Sequence, residues 1–360
     1  MGDRLQMMSV LVYPAAVALS VSFGISVLLV LSQRWHATRT ADHSGGVQKF
    51  HVEPTPRIGG LAVAVGLIAA WPTFTGEMGE LSASMMAASI PALAFGTAED
   101  LSNQISPMTR LLATLSSGVL AWWITGISLT HSGLWGVDQA LAWGPISVAF
   151  TALAVAGVAN AVNMVDGFNG LASGLVIISL MALAAMAQIE QDSTVMSLCL
   201  LLAAATLGFM VMNFPFGKIF LGDGGAYFLG FCLAWLAILL LQRHTDISAM
   251  AVLLSCCYPV IEALYSIWRR IHRHTNPMLP DRLHLHSLVK RRIARKKLPH
   301  WPQVMRNSSV SPLIWLMASV PAMLGVLMRE TTWAAAAALL LCVCSYVMIY
   351  RRLVRFGRWR

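Results

Sequence analysis

Charge is what this sequence holds least of. Asp, Glu, Lys and Arg make up 11% of its 360 residues while hydrophobic residues make up 57%, whereas soluble domains carry roughly 25% charged residues. That scarcity excludes an ordinary soluble globule. Cysteine in a metal-binding or disulfide pattern is also missing. Cys199, Cys232, Cys256, Cys257, Cys342 and Cys344 all fall inside apolar runs, and none is spaced with histidine as a zinc ligand set. They read as small core residues. No internal repeat is evident, nor any low-complexity stretch beyond the Ala-rich 334–338. No loop has room for a soluble domain: the longest, 268–309, has about 40 residues, marginal for independent folding.

Long hydrophobic runs dominate instead. A membrane-crossing helix needs about 20 mainly apolar residues. Such runs lie near 10–32, 58–75, 81–97, 109–127, 145–162, 170–188, 194–213, 225–241, 247–267, 310–328 and 332–350. The first is too long for a signal-peptide core and lacks a basic start and a clear cleavage site, so it reads as a retained helix. The expectation is an all-α, polytopic membrane protein of about eleven spans, forming a single integral membrane domain over residues 1–360.

The net charge of +9 speaks of topology before nucleic acid. With the N-terminus outside, the segments 33–57, 98–108, 163–169, 214–224, 268–309 and 351–360 face the cytoplasm. They hold Arg34, Arg39, Lys49, Arg57, Lys218, eleven Lys/Arg from Arg269 to Arg306, and five Arg in the last segment. The opposite side keeps Arg4, Arg243 and Arg329, with Arg110 at a boundary. The polar clusters fall on the same basic side, so one face carries chemistry and the other connects.

Four motifs and an acidic pair carry that chemistry. Residues 160–170 place Asn160, Asn163, Asp166 and Asn169 beside Gly167 and Gly170 between two apolar runs. Carboxamides and carboxylates are hard-oxygen ligands, and polar groups at a membrane boundary are costly unless they serve a purpose. The plain alternative is a solvated turn. Glu99 and Asp100 end a span as adjacent carboxylates, suited to metal recruitment or general-base work, or to capping the next helix. Residues 213–225 set Asp223 among Gly222, Gly224 and Gly225, where bare backbone can approach phosphate oxygens, and Phe220 could stack on a base or simply pack. The basic loop with Asp281, Arg282, His284, His286 and Ser287 suits phosphate, or an anionic lipid surface. Lys49, Pro54, Pro56, Arg57, Gly59 and Gly60 lead into the second span as a stiffened, basic entry.

In this order and on one face, these motifs resemble the polyprenyl-phosphate N-acetylhexosamine-1-phosphate transferases, glycosyltransferase family 4, over most of residues 42–287. The run from Pro54 to Gly60 and the His-Leu-His loop resemble the branch that serves O-antigen, enterobacterial common antigen or teichoic-acid linkage. The chain departs from the common pattern at Glu99, Asn169 and Ser287. The resemblance implies Mg²⁺, with Mn²⁺ as substitute, held by Asp223 and Asn163. It implies Asp100, Glu99 and Asp166 as the catalytic acids, with Asp100 nearest the lipid phosphate. Phe220 would stack on uracil, Asn169 would hydrogen-bond it, and Gly222, His284, His286, Arg282, Lys49 and Arg57 would line the substrates. Those substrates would be a UDP-N-acetylhexosamine and undecaprenyl phosphate, in the bacterial inner membrane, with no nucleic acid and with a homodimer as the assembly. The competing readings are a peptidoglycan-precursor transferase and an ion-coupled transporter, for which Glu262 is the main acid inside a span.

Overall fold

A computed structural model describes residues 2–42, 55–276, 281 and 283–355. Among them the chain is helical almost throughout, with one two-residue antiparallel ladder pairing β1 (Ala41–Asp42) with β2 (Thr55–Pro56). Each expected apolar run overlaps a helix: α1 (Gly2–Leu31), α2 (Gly59–Ala70), α3 (Gly76–Ser102), α4 (Pro107–Thr125), α5 (Gly144–Val165), α6 (Leu171–Ile189), α7 (Ser193–Asn213), α8 (Gly222–Arg243), the pair α9 (Ala249–Ser255) and α10 (Cys257–His272), α11 (Val310–Leu327) and α12 (Thr332–Val354).

Eight helices among the described residues are long and apolar enough to cross a membrane, and nine if α9 and α10 form one bent span, rather than the expected eleven. The shortfall has physical causes. α2 has 12 residues before a 3₁₀ turn, about 18 Å of helix at 1.5 Å per residue against a hydrocarbon core of about 30 Å. α4 carries Arg110 and a polar stripe of Thr114 and Ser117 that packs inward, and it is not among the eight. α9 and α10 meet at 85° where Cys256 leaves helical geometry.

α8 is the axis of the bundle. It is apolar all round, and every residue from Gly222 to Leu241 is buried, as a helix enclosed by others must be. α3, α5 and α2 pack on it. Small residues permit the close approach: a Cβ on Gly60 would lie 2.1 Å from the Gly225 Cα, and one on Gly96 would lie 2.6 Å from the Gly224 Cα. The outer helices expose Leu28, Trp123, Leu316, Leu340 and Leu341, an apolar surface that suits lipid.

Candidate active site

The turn into α8 organises the site. Gly222 has φ +77°, and a Cβ there would stand 1.9 Å from the Arg57 carbonyl oxygen and 2.5 Å from Asp100 Oδ2. Only glycine fits. The turn aims the first free amides of α8 at the end of α3. Asp223 N donates to Asp100 Oδ1 and Gly224 N to Asp100 Oδ2, each at 2.9 Å. Asp100, 3% exposed, therefore caps α8 from a neighbouring helix and complements its positive end. The same turn zips to the entry of α2, with Gly59 N donating to the Phe220 carbonyl and Gly60 N to the Leu221 carbonyl at 2.9 Å, and Phe220 N donating to the Pro56 carbonyl at 2.8 Å. Two motifs far apart in sequence thus share one backbone junction.

Asp223 is the hub. Arg57 Nη2 lies 3.3 Å from its Oδ1 and 3.4 Å from Asp100 Oδ1. Arg110 Nη1 donates to its Oδ2, and Asn163 Nδ2 donates to its Oδ1 at 3.1 Å. Asp166, which ends α5, is partly exposed as a residue. Burial of its carboxyl, with Asp223 as a like-charged neighbour, raises it to about 7 against the pull of Arg57. Three carboxylates and two guanidiniums, from five segments, thus meet at one end of the bundle.

Glu99 makes its hydrogen bond at the edge of this hub, within electrostatic reach of Arg110. Its Oε2 accepts from Ile105 N at 2.7 Å, closing the turn between α3 and α4 where Asn103 adopts φ 53°. The capping alternative fits this acid better than a catalytic one. Asn169 is also engaged within the protein. It is 8% exposed, and its Nδ2 donates to the Pro215 carbonyl at 3.1 Å and to Ser308 Oγ at 3.0 Å. Ser311 Oγ and Trp315 Nε1 donate to the carbonyls of Asn169 and Gly170 at 2.6 and 3.2 Å. Asn169 therefore moors the central loop to α11 and the short helix Gln303–Ser308 before it. Lys49 and Arg282 lie outside the described residues.

The histidine loop reaches the same region from the other side. His284 precedes the short helix Leu285–Val289, and its Nδ1 lies 3.1 Å from Glu262 Oε1. Leu285 N donates to both Glu262 oxygens at 3.2 Å. Glu262, 0% exposed on α10, thus fastens the loop. His286 stacks on His284 (centroids 5.2 Å apart, planes 10°) and meets the Phe168 ring edge-on at 5.6 Å. A Cβ on Gly167 would lie 3.4 Å from His286 Nε2. Burial lowers His286 to about 4, and its Nδ1 is buried without a hydrogen-bond partner. Asp281 pairs with Arg269 and, at 3.6 Å, with Arg270; burial opposes its ionisation, but Arg269 holds its carboxyl below the usual range.

Arg110 and Glu262 acquire partners that the motifs did not assign. The signal lay in the sequence, since a charge inside an apolar run calls for a partner. What could not be read was which partner.

A divalent cation fits this donor set. Asp223, Asp166 and the carboxamide oxygen of Asn163 are hard-oxygen ligands, and burial, then the neighbouring Asp223, raises the Asp166 carboxyl to about 7, a shift that a bound cation would oppose. Among the described residues no three His, Cys, Asp or Glu side chains already form a metal cage.

Residues 82–241 match glycosyl transferase family 4, a stretch that contains Asp100, Asn163, Asp166 and Asp223. The chain is 30% identical over 322 residues, covering 87% of itself and 86% of the relative, to a Bacillus subtilis (strain 168) protein named "Probable undecaprenyl-phosphate N-acetylglucosaminyl 1-phosphate transferase". It is 25% identical over 321 residues to the undecaprenyl-phosphate alpha-N-acetylglucosaminyl 1-phosphate transferase of Yersinia pestis, covering 87% and 84% of the two chains. With the protein of that name in Escherichia coli (strain K12) it shares 27% identity over 252 residues, covering 68% and 67%.

Proposed function

The chain belongs to glycosyl transferase family 4, and from that premise we propose that it transfers N-acetylglucosamine 1-phosphate from a UDP-sugar to undecaprenyl phosphate. It is a multi-pass membrane enzyme. A lipid-phosphate oxygen attacks the sugar-linked phosphorus, the bond to the bridging oxygen breaks, and UMP leaves with that oxygen and its electron pair. The product is undecaprenyl-diphospho-sugar, which starts a surface polysaccharide. The Lys/Arg distribution supports a site on the cytoplasmic face of the inner membrane, with the N-terminus on the periplasmic side.

The observation that carries this reading is Asp223 between two guanidiniums, with Asp166 beside it. Both substrates are anions, and bringing them together needs cations placed in advance. Asp223 and Asp166, with Asn163, would hold Mg²⁺, which when bound neutralises developing charge on the transferring phosphate. Arg57 and Arg110 draw phosphate oxygens to the same end of the bundle. Asp100, with both oxygens on backbone amides, positions Asp223 rather than taking a proton. The partly exposed Phe220 ring offers an aromatic face to the uracil, and the histidine loop lies over the sugar phosphate. Glu262 is tied to His284 and Leu285, which argues against its serving as a transporter's ion relay.

UMP release by the purified protein, with undecaprenyl phosphate, Mg²⁺ and a panel of UDP-sugars, tests the proposal. Release that requires lipid and metal, fastest with UDP-N-acetylglucosamine and about 10²-fold or more slower in Asp223→Asn, is expected. Lipid-independent release, or full activity in Asp223→Asn, contradicts it.

A further inference from the structure

Beyond the carboxylate hub, the strongest one-signed charge lies after the histidine loop. No Asp or Glu occurs from 282 to 329, while Arg282, Lys290, Arg291, Arg292, Arg295, Lys296, Lys297 and Arg306 fall within that stretch. The fold gathers Lys290, Arg291, Arg292, Arg295 and Arg306. The helix Leu285–Val289 runs into a π-helical turn, Lys290–Ala294, and then a short helix, Arg295–Lys297. The helix Gln303–Ser308 folds back against the π-helical turn. Wide turns of this kind are frequent at functional sites.

Between them lies a cavity of about 370 Å³ lined by Lys290, Arg291, Arg295, Gln303 and Arg306. Its lining has four cations, one carboxamide and no carboxylate, and shares no residue with the Asp100, Asp166 and Asp223 group. A second cavity of about 350 Å³ shares Arg291 and Arg295 and adds Arg292 with apolar walls from Leu283, Leu288 and Val354. Lys290 Nζ stands 5.6 Å from the centre of the Phe168 ring, so the cationic cavity adjoins the central loop.

We propose that the cavity lined by Lys290, Arg291, Arg295, Gln303 and Arg306 binds a phosphate-class oxyanion. Guanidiniums in a fork geometry are the side chains best matched to phosphate oxygens, and Gln303 is a neutral donor beside them. Gathering four cations around one concavity is unfavourable by Coulomb repulsion, and a bound anion reverses the sign of that effect. Lys290 registers the repulsion: burial, then Arg306 and Arg295, pushes its amine down to about 7. Two sources supply such an anion, a soluble diphosphate or the headgroup of an anionic phospholipid. For the second, the apolar walls of the adjoining cavity would take the first carbons of the glycerol ester. The inference does not depend on the transfer reaction, and its test uses neither sugar nucleotide nor polyprenyl phosphate.

The experiment follows acylation of Lys290 by an N-hydroxysuccinimide ester, read by peptide mass spectrometry. The full chain sits in phosphatidylcholine nanodiscs, with exposed Lys296 and Lys297 as internal references. One arm adds inorganic diphosphate, and the other replaces part of the lipid with phosphatidylglycerol. At a few multiples of Kd, protection follows 1 + [L]/Kd, so Lys290 labelling slows by about fivefold relative to Lys296. Arg295→Gln/Arg306→Gln abolishes the protection, and Arg295→Lys/Arg306→Lys keeps part of it. Protection by diphosphate assigns a soluble phosphate, and protection by phosphatidylglycerol alone assigns a headgroup. No protection in either arm, or equal protection in the Gln double variant, overturns the proposal. If that variant does not purify, Arg306→Gln alone gives the same comparison, with weaker protection expected and unchanged protection contradicting.

Discussion

At the scale of single residues, neighbouring acids do different work because of what faces them. Glu99 and Asp100 are adjacent in sequence, yet one closes a turn through Ile105 N while the other holds the start of α8. Replacing Asp100 by Asn keeps the shape but puts an amide NH₂ against two backbone N–H donors, one of which loses its acceptor. Asp223 then loses its fixed position between Arg57 and Arg110. Asp100→Asn is expected to lower kcat by tenfold or more, whereas Glu99→Gln, which keeps an acceptor for Ile105 N and removes only a charge near Arg110, stays within about fivefold of the parent. Steady-state UMP release on both variants checks this. Equal losses would mean that the pair acts as one catalytic unit.

At the scale of elements, the histidine loop is held by a buried carboxylate on a kinked span. The 85° bend between α9 and α10 carries Glu262 beneath His284 and Leu285, and His286 stacks above them against Phe168. His286 is neutral in the fold, since its pKa falls from 6.5 to about 4, chiefly through burial and partly through His284, with Glu262 and Asp281 opposing. The unfolded loop therefore binds more protons between these two values. Stability is full above about 6.5, falls as the pH drops toward 4, and loses nothing further from this group below that. Asp166, raised to about 7, works in the opposite direction over this range, so the His286 effect is read as a difference: between pH 7 and pH 5 the midpoint of thermal unfolding should fall more, or rise less, in the parent than in His286→Asn, by several degrees. An unchanged pH slope in His286→Asn would place the titrating group elsewhere.

At the scale of the whole molecule, most of the architecture was legible because membrane helices announce themselves by length and apolarity. Every expected run became a helix, and the motif-bearing segments met. The departures arose where length or polarity fell short. α2 is too brief to span alone, and α4 carries an arginine whose partner, Asp223, is 113 residues away. The hydrogen bonds of Asn169 were hidden for a similar reason. An asparagine in a Gly-rich loop looks like a ligand donor, and only the fold shows Pro215, Ser308 and Ser311 waiting for it. Residue chemistry was readable from sequence, but long-range pairing was not. The central claim, that Asp223 and its neighbours form the centre where phosphorus changes partner, is tested most directly with UDP-N-acetylglucosamine labelled at the sugar-linked phosphorus. Incubated with undecaprenyl phosphate and Mg²⁺, the protein should move the label into the lipid fraction in step with unlabelled UMP, and Asp223→Asn should not. Label that stays with the nucleotide, or that appears as free N-acetylglucosamine 1-phosphate without lipid product, would contradict the account.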